Sequence, residues 1–147
     1  MTSSWHPEVG NPDVSVSLEA ILSDALDDEY KAEATYAAVI ARFGPVRPFI
    51  SIVEAERRHA DALLRQCARL GFVPQPNRWA GKVHAPATLA DACREAIAAE
   101  VDNIALYDRL LPKVADSETQ DVLSRLQAAS RDRHLPAFRR CLDRHRR

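Results

Sequence analysis

Apolar residues recur every three or four positions along four stretches of the chain, the spacing by which an α-helix buries one face. The stretches cover about residues 17 to 43, 46 to 70, 88 to 112 and 117 to 141. The pattern therefore predicts an all-α protein, a bundle of four helices.

Glycine and proline mark the ends of the first two helices. Gly44 and Pro45 end the first, Pro48 suits the first turn of the second, and Gly71 lies at its C-terminal end. Residues 72 to 87 are rich in proline and glycine and cannot be helical. Stretched at about 3.3 Å per residue, this segment could cross the whole length of a helix. We therefore expect one long crossover between helices 2 and 3.

Capping residues mark the starts of the last two helices. Thr88 is a good N-cap for the third, with Asp91 three residues on. Ser117 and Gln120 form a capping-box pattern for the fourth. Pro136 lies inside the fourth helix and should bend it just after His134.

Composition and charge indicate one ordinary globular domain. The chain has 147 residues, 46% of them hydrophobic, and a formal net charge of -1. Residues 1 to 14 show no periodicity and are predicted to be an N-terminal tail, so residues 15 to 147 form the bundle domain. We expect no nucleic-acid or membrane partner. Without a signal-peptide pattern, the default location is cytoplasmic.

Polar residues interrupt the apolar face of every helix. Because a lone buried charge costs several kcal/mol, such residues need a partner or a bound cation. Carboxylates with imidazoles suit iron or manganese, and a Glu-x-x-His pair aims both side chains from one helix face at the same ion. We therefore expect a metal site inside the bundle, with these ligands: Glu29, Glu56, His59, Glu100 and His134.

The two halves of the chain repeat this pattern. Glu29 precedes Tyr36 by the interval that separates Glu100 from Tyr107, and each pair is followed by a turn and a helix with a histidine in its apolar face. The tyrosines either pack in the core or donate to a ligand carboxylate. Two ions are the leading expectation, and one ion, or a metal-free polar network, are the alternatives.

The first hairpin resembles rubrerythrin-like members of the ferritin-like superfamily. The residues that carry the likeness are Glu29-x-x-Ala32-x-x-x-Tyr36 and Glu56-x-x-His59-Ala60, and Glu100 with Tyr107 resembles the corresponding third helix. Four sequence segments are also similar to a family of bacterial ferritin-like domains of unknown function, namely DEYKAEATY, FGPVRPF, AERRHADAL and HLPAFRRC. The resemblance implies a ferritin-like four-helix bundle with a di-iron centre.

One position departs from the superfamily pattern. A carboxylate is expected three residues before the second histidine, and Arg131 stands there, beside Ser130. Arg131 could replace the second ion and pair with Glu29 or Glu100. Alternatively it turns to solvent, and Glu33 or Asp132 contributes instead through a helix irregularity at Pro136. The candidates for groups around the ligands are Glu33, Tyr36, Tyr107, Arg131 and Asp132.

The three cysteines contain no C-x-x-C pair, which excludes an attached rubredoxin-type centre in this chain. We expect Cys67, Cys93 and Cys141 to be small buried apolar residues. A disulfide between Cys93 and Cys141, each about two turns from the site, is the alternative.

The leading functional expectation is a di-iron oxidoreductase that reacts with oxygen or peroxide, of the peroxidase or ferroxidase type. As a peroxidase it would need an external electron donor. The alternatives are iron storage, which requires a closed shell of many subunits, and a metal-poor bundle with a structural or partner-binding role. A homodimer is compatible with any of these except storage.

Overall fold

A computed structural model describes residues 10–146 of the chain, and side chains from residue 18 onward. All the secondary structure in this part of the chain is helical, which confirms the all-α prediction. The helices are α1 (Gly10–Phe43), α2 (Phe49–Leu70), α3 (Leu89–Leu110), α4 (Ser117–Ala129) and α5 (Leu135–His145). A five-residue π-helical turn, Ser130–His134, joins α4 to α5, so the two act as the fourth helix of the bundle.

The first helix begins earlier than the sequence indicated. It starts at Gly10, so residues 10 to 14 of the predicted tail are helical, while residues 1 to 9 lie outside the described part of the chain. Pro12 does not oppose this start, because the first amide groups of a helix have no acceptor within it. The apolar periodicity begins only later, which is why the pattern missed this turn.

Caps fix three of the helix ends. Gly71 adopts a left-handed conformation with φ of 78°, and the Phe72 amide donates to the Cys67 carbonyl, so α2 ends as predicted. Thr88 caps α3 by accepting from the Asp91 amide at 3.1 Å, also as predicted. The capping box at Ser117 was wrong, because Asp116 is the N-cap of α4 and accepts from the Thr119 amide.

Contacts between the helices show their directions. Tyr36 of α1 contacts Glu100 of α3, and Tyr107 contacts Glu29, so α1 and α3 are antiparallel. Since α2 returns along α1 after a short turn, α2 and α3 run the same way. The irregular connection between them must therefore travel the length of the bundle. Midway along α1, Asp27 accepts from the guanidinium of Arg78 in this connection, at 2.8 and 2.9 Å.

The core consists of two apolar clusters. The first contains the side chains Leu22, Leu26, Ala60, Leu63, Tyr107 and Leu123, among others. The second contains Tyr36, Val39, Phe49, Cys93, Phe138 and Cys141, among others. The buried residues Glu29 on α1 and Glu100 on α3 lie between these two clusters along the helices. The polar layer is therefore enclosed by apolar packing on both sides.

The fourth helix is irregular over Ser130–His134, so the irregularity ends at His134, whereas the sequence predicted a bend just after that residue. The Leu135 amide donates to the Ser130 carbonyl, five residues back, which defines a π turn. Pro136 has no amide hydrogen, so it cannot extend the regular ladder across this point. The turn inserts one residue into the helix and changes which side chains face the core.

None of the helices in residues 10–146 is long and apolar enough to cross a membrane.

Candidate metal centre

The five predicted ligands lie together in one buried layer. Each comes from a different position on the bundle: Glu29 from α1, Glu56 and His59 from α2, Glu100 from α3, and His134 from the π turn. Their exposed fractions are 1% for Glu29 and Glu100, 2% for Glu56, 9% for His59 and 4% for His134. Three carboxyl groups and two imidazoles are thus withdrawn from water within one layer.

The ligands divide into two groups that share Glu56. In the first group, His59 Nδ1 lies 3.3 Å from Glu29 Oε1 and 3.0 Å from Glu56 Oε1. In the second, His134 Nδ1 lies 3.5 Å from Glu100 Oε1 and 3.8 Å from Glu56 Oε2. Each group offers three ligand atoms within 4.8 Å of one another. Glu56 thus presents one oxygen to each group.

The two imidazole rings stack on each other and face the carboxylates through the same ring atom. The rings of His59 and His134 stack with centroids 5.5 Å apart and planes inclined by 15°. Both rings turn Nδ1 toward the carboxylates, at 3.0 Å from Glu56 Oε1 and 3.5 Å from Glu100 Oε1. The site therefore has an approximate twofold arrangement, with Glu56 near its middle.

Three buried polar atoms in this layer lack a hydrogen-bond partner. They are Glu56 Oε1, Glu100 Oε1 and His134 Nδ1, and within residues 18–146 no other buried side-chain nitrogen or oxygen atom shares this state. The 3.0 Å contact from His59 to Glu56 Oε1 is short enough for a hydrogen bond but lacks the required alignment. Unpartnered buried atoms are costly, so their concentration at one place requires an explanation. Binding of a cation would supply their missing partner.

The two tyrosines support the ligands across the bundle. Tyr36 of α1 donates its hydroxyl to Glu100 Oε2 of α3, and Tyr107 of α3 donates to Glu29 Oε2 of α1, each at 2.6 Å. Both rings are fully buried. Of the two expectations for these residues, the structure shows the hydrogen bond to a ligand carboxylate. Burial, together with the charge of the adjacent carboxylate, raises the pKa of both tyrosines, so each hydroxyl stays a donor.

The carboxylates of the layer have opposed pKa shifts. Burial raises the pKa of Glu56 well above its ordinary value, and the charges of Glu29 and Glu100 add to this effect. Burial also acts to raise the pKa of Glu29, but the contact with His59 and the Tyr107 hydroxyl outweigh it, so the pKa of Glu29 is lowered. Glu29 is therefore the carboxylate held in its charged form, whereas Glu56 favours its neutral form when no cation is bound.

A hydrogen-bond network not predicted from the sequence borders the site. Asn103 donates through its amide nitrogen to Glu29 Oε2 at 3.1 Å and to Asp28 Oδ2 at 2.7 Å. Its amide oxygen accepts from the Ser130 hydroxyl at 2.8 Å. Burial raises the pKa of Asp28 to about 6, despite the Asn103 hydrogen bond. The sequence signal for Asn103 was its place three residues after Glu100 on the same helix face.

Three predicted neighbours of the ligands lie away from the site. Arg131 is 54% exposed and pairs with Asp132, Nε to Oδ1, at 2.9 Å. Glu33 accepts from Arg57 Nε at 3.0 Å on the outer surface. The alternative that Arg131 turns to solvent is therefore confirmed, whereas the expectations that it enters the core, or that Glu33 or Asp132 replaces the missing carboxylate, were wrong.

The π turn explains the error at Arg131. Counting three residues back from His134 assumes α-helical spacing, and the extra residue of a π turn shifts the inner position to four residues back. Ser130 consequently lies on the inner face, 1% exposed, and Arg131 is turned outward. The position of the expected carboxylate is thus filled by a small hydroxyl side chain.

Two of the cysteines are joined. Cys93 of α3 and Cys141 of α5 form a disulfide, while Cys67 is free and buried. The expectation of three small apolar residues therefore holds only for Cys67, and the alternative of a disulfide describes the other two.

The chain shares its fold with a solved structure, whereas the sequence comparisons found no match. No protein-family model and no curated protein sequence matches the chain. Among solved structures, the chain is similar to hypothetical protein MJ0754 from Methanococcus jannaschii, with a TM-score of 0.77 and 18% sequence identity. The likeness covers 98% of this chain and 85% of the other. At this identity the comparison supports the arrangement of the helices alone.

Proposed function

We propose that the protein is a ferritin-like di-metal protein of the di-iron type, which reacts with oxygen or peroxide. The observation that carries this proposal is the set of three unpartnered buried atoms, on Glu56, Glu100 and His134, inside a layer of five metal-ligating side chains. A purely structural polar network would be expected to satisfy these atoms with other protein groups.

The residues fit a pair of divalent ions in number and chemistry. Glu29 and His59 would hold one ion, Glu100 and His134 the other, and Glu56 would contribute one oxygen to each. Two divalent cations would also offset the charge of three buried carboxylates. Oxygen and nitrogen ligands without a thiolate favour iron or manganese over softer metals.

The helix directions support a ferritin-like identity. The parallel course of α2 and α3, joined by a connection that travels the length of the bundle, is the topology that the resemblance implied. The half-sites on α1 with α2 and on α3 with the π turn follow the internal repeat of the sequence. The missing sixth ligand, which would be a fourth carboxylate and whose place is taken by Ser130, is the feature that separates this chain from that pattern.

The chain's own residues would prepare the site for redox chemistry. Two bound iron ions would supply one-electron steps toward oxygen or peroxide. Tyr36 and Tyr107 fix the orientation of Glu100 and Glu29 through their hydroxyl groups. The apolar clusters on both sides exclude water, which strengthens electrostatic interactions within the layer.

Metal stoichiometry tests the proposal directly. The protein is loaded with Fe(II) without oxygen, desalted and assayed for iron by elemental analysis. We expect two ions per chain, one for each ligand group. Glu56→Gln should lose most of the iron, because Glu56 belongs to both groups. Glu54→Gln is the matched control, since Glu54 lies on the same helix but is exposed and pairs with Arg57.

The reaction is then tested by adding hydrogen peroxide to the loaded protein and following the loss of Fe(II). Wild type and Glu54→Gln should oxidise their iron faster than the same amount of free Fe(II). Folded protein that binds no iron would refute the proposal, and iron binding that is unaffected by Glu56→Gln would place the metal elsewhere.

A further inference from the structure

The disulfide lies in the same helix interface as half of the proposed metal centre. Cys93 precedes Glu100 by seven residues on α3, and Cys141 follows His134 by seven residues in the fourth helix. Because these helices are antiparallel, the two pairs face each other in one register. Their separation along the interface is about 10 Å at 1.5 Å per residue.

The two sulfur atoms are shielded from reagents in solution. Cys93 and Cys141 have no exposed surface and lie in the second apolar cluster. Thiol–disulfide exchange requires direct contact between a thiolate and a sulfur atom, so the folded protein hinders it. Burial also makes a thiol a poor nucleophile toward peroxide. An oxidation that forms this bond in the folded protein therefore needs another route for the electrons.

Packed side chains connect the cysteines to the ligands. Phe138, three residues before Cys141 on α5, contacts Tyr36 with ring centroids 5.0 Å apart. The Tyr36 hydroxyl donates to the ligand carboxylate of Glu100 at 2.6 Å. The space between the sulfur pair and the ligand layer is thus filled by protein, which allows electrons to tunnel over this distance.

We propose that Cys93 and Cys141 are a two-electron donor to the metal centre, an inference that rests on the proposed function. The two thiols lose two hydrogen atoms, as two electrons and two protons, and form the S–S bond. Hydrogen peroxide accepts the two electrons and two protons, its O–O bond breaks, and two water molecules result. The two thiols would therefore be the reductant of peroxide, with the metal centre as the route for the electrons.

Thiol counting after peroxide treatment tests this inference. The full chain is reduced with a phosphine in denaturant, refolded and desalted without oxygen, loaded with Fe(II) and treated with one equivalent of peroxide. Alkylation and mass spectrometry then report which cysteines remain reduced. In loaded wild type, Cys93 and Cys141 should become joined while Cys67 stays reduced. In metal-free wild type the rate of bond formation should be lower by a factor of about ten or more, since buried thiols react poorly.

Two variants serve as controls. Cys67→Ser removes the free cysteine, which lies in the first apolar cluster, and should form the disulfide at the wild-type rate. Glu56→Gln treated with the same iron should behave as the metal-free protein does. Equal rates of bond formation with and without bound iron would overturn the inference, because the thiols would then react with peroxide directly.

The two proposals fail in different ways. Iron that binds and is oxidised by peroxide, while Cys93 and Cys141 remain reduced, overturns the electron-donor role alone. A folded protein that binds no iron overturns the proposed function and the electron-donor role together.

Discussion

At the scale of single residues, the site depends on hydroxyl groups as much as on its ligands. Tyr36 and Tyr107 each bridge α1 and α3 by donating to a buried carboxylate on the opposite helix. Ser130 donates to Asn103, which in turn donates to Glu29. These contacts hold the carboxylates in place without a bound ion, so we expect them to contribute to stability as well as to metal affinity.

Replacing Tyr107 with phenylalanine should affect both properties. Tyr107→Phe leaves Glu29 Oε2 with fewer donors at a buried position, and we expect a loss of about 1–3 kcal/mol in the free energy of unfolding. Metal affinity should fall by about 10–100-fold, as for other groups that orient ligands. Denaturant unfolding of metal-free protein and a metal titration measure the two effects.

Tyr30→Phe is the matched control for this substitution. Tyr30 is only partly buried and packs against the first apolar cluster. It should change the free energy of unfolding by less than about 0.5 kcal/mol. If Tyr107→Phe behaves in the same way, the hydrogen bond to Glu29 does not support the site.

At the scale of secondary-structure elements, the π turn decides which residue borders the ligands. It places Ser130, instead of Arg131, on the inner face beside Asn103. A carboxylate introduced at residue 130 should therefore reach the layer where the superfamily pattern has one.

Ser130→Asp should have opposite effects without and with metal. In metal-free protein the added buried charge should lower the free energy of unfolding by roughly 3 kcal/mol relative to Ser130→Asn, which has the same size and no charge. The same charge should raise metal affinity by about tenfold or more. Thermal unfolding with and without Mn(II) measures both, and a carboxylate that destabilises equally under the two conditions would contradict this placement.

The cap of α4 provides a pH-dependent test of another element. The Thr119 hydroxyl, the Thr119 amide and the Arg69 guanidinium hold the pKa of Asp116 below its ordinary value of 3.8. A lowered folded-state pKa means that the stabilisation is present above about pH 3.8 and is lost as the pH falls through the folded-state pKa.

Asp116→Ala should therefore lower the free energy of unfolding by about 1 kcal/mol at neutral pH. The difference from wild type should shrink as the pH falls below 3.8, where the wild-type carboxylate becomes protonated. Denaturant unfolding across this range is the measurement, with Asp121→Ala, an exposed position on the same helix, as the control. A difference that stays constant with pH would show that the charge of Asp116 is not involved.

At the scale of the whole molecule, the surface bears on the alternative of iron storage. Among residues 18–146, the large apolar side chains that are exposed are Val73 and Val101, and they are isolated in sequence. Interfaces of permanent assemblies are usually more apolar than this. We therefore favour a small oligomer or a monomer over a closed shell.

Light scattering coupled to size-exclusion chromatography tests this expectation. The protein should elute with the mass of one or two chains, before and after loading with iron. A particle of many subunits would contradict the inference from the surface and would favour storage of iron over turnover of a small oxidant.

The sequence by itself determined the helices and the ligand candidates. Apolar residues at helical spacing specify which face of each helix is buried, and a carboxylate or histidine in that face is visible because it breaks the pattern. The four-helix architecture, the long crossover and the common layer of Glu29, Glu56, His59, Glu100 and His134 were accessible on these grounds. Metal binding at that layer remains a prediction.

The tertiary structure decided the features that depend on register and on partners. A π turn changes the inner position from Arg131 to Ser130, and no periodic pattern reveals one inserted residue in advance. The reciprocal bonds of Tyr36 and Tyr107, and the disulfide between Cys93 and Cys141, require the relative heights of two helices far apart in sequence. Local spacing fixes which face a residue occupies only where the helix is regular, and packing fixes what the residue meets there.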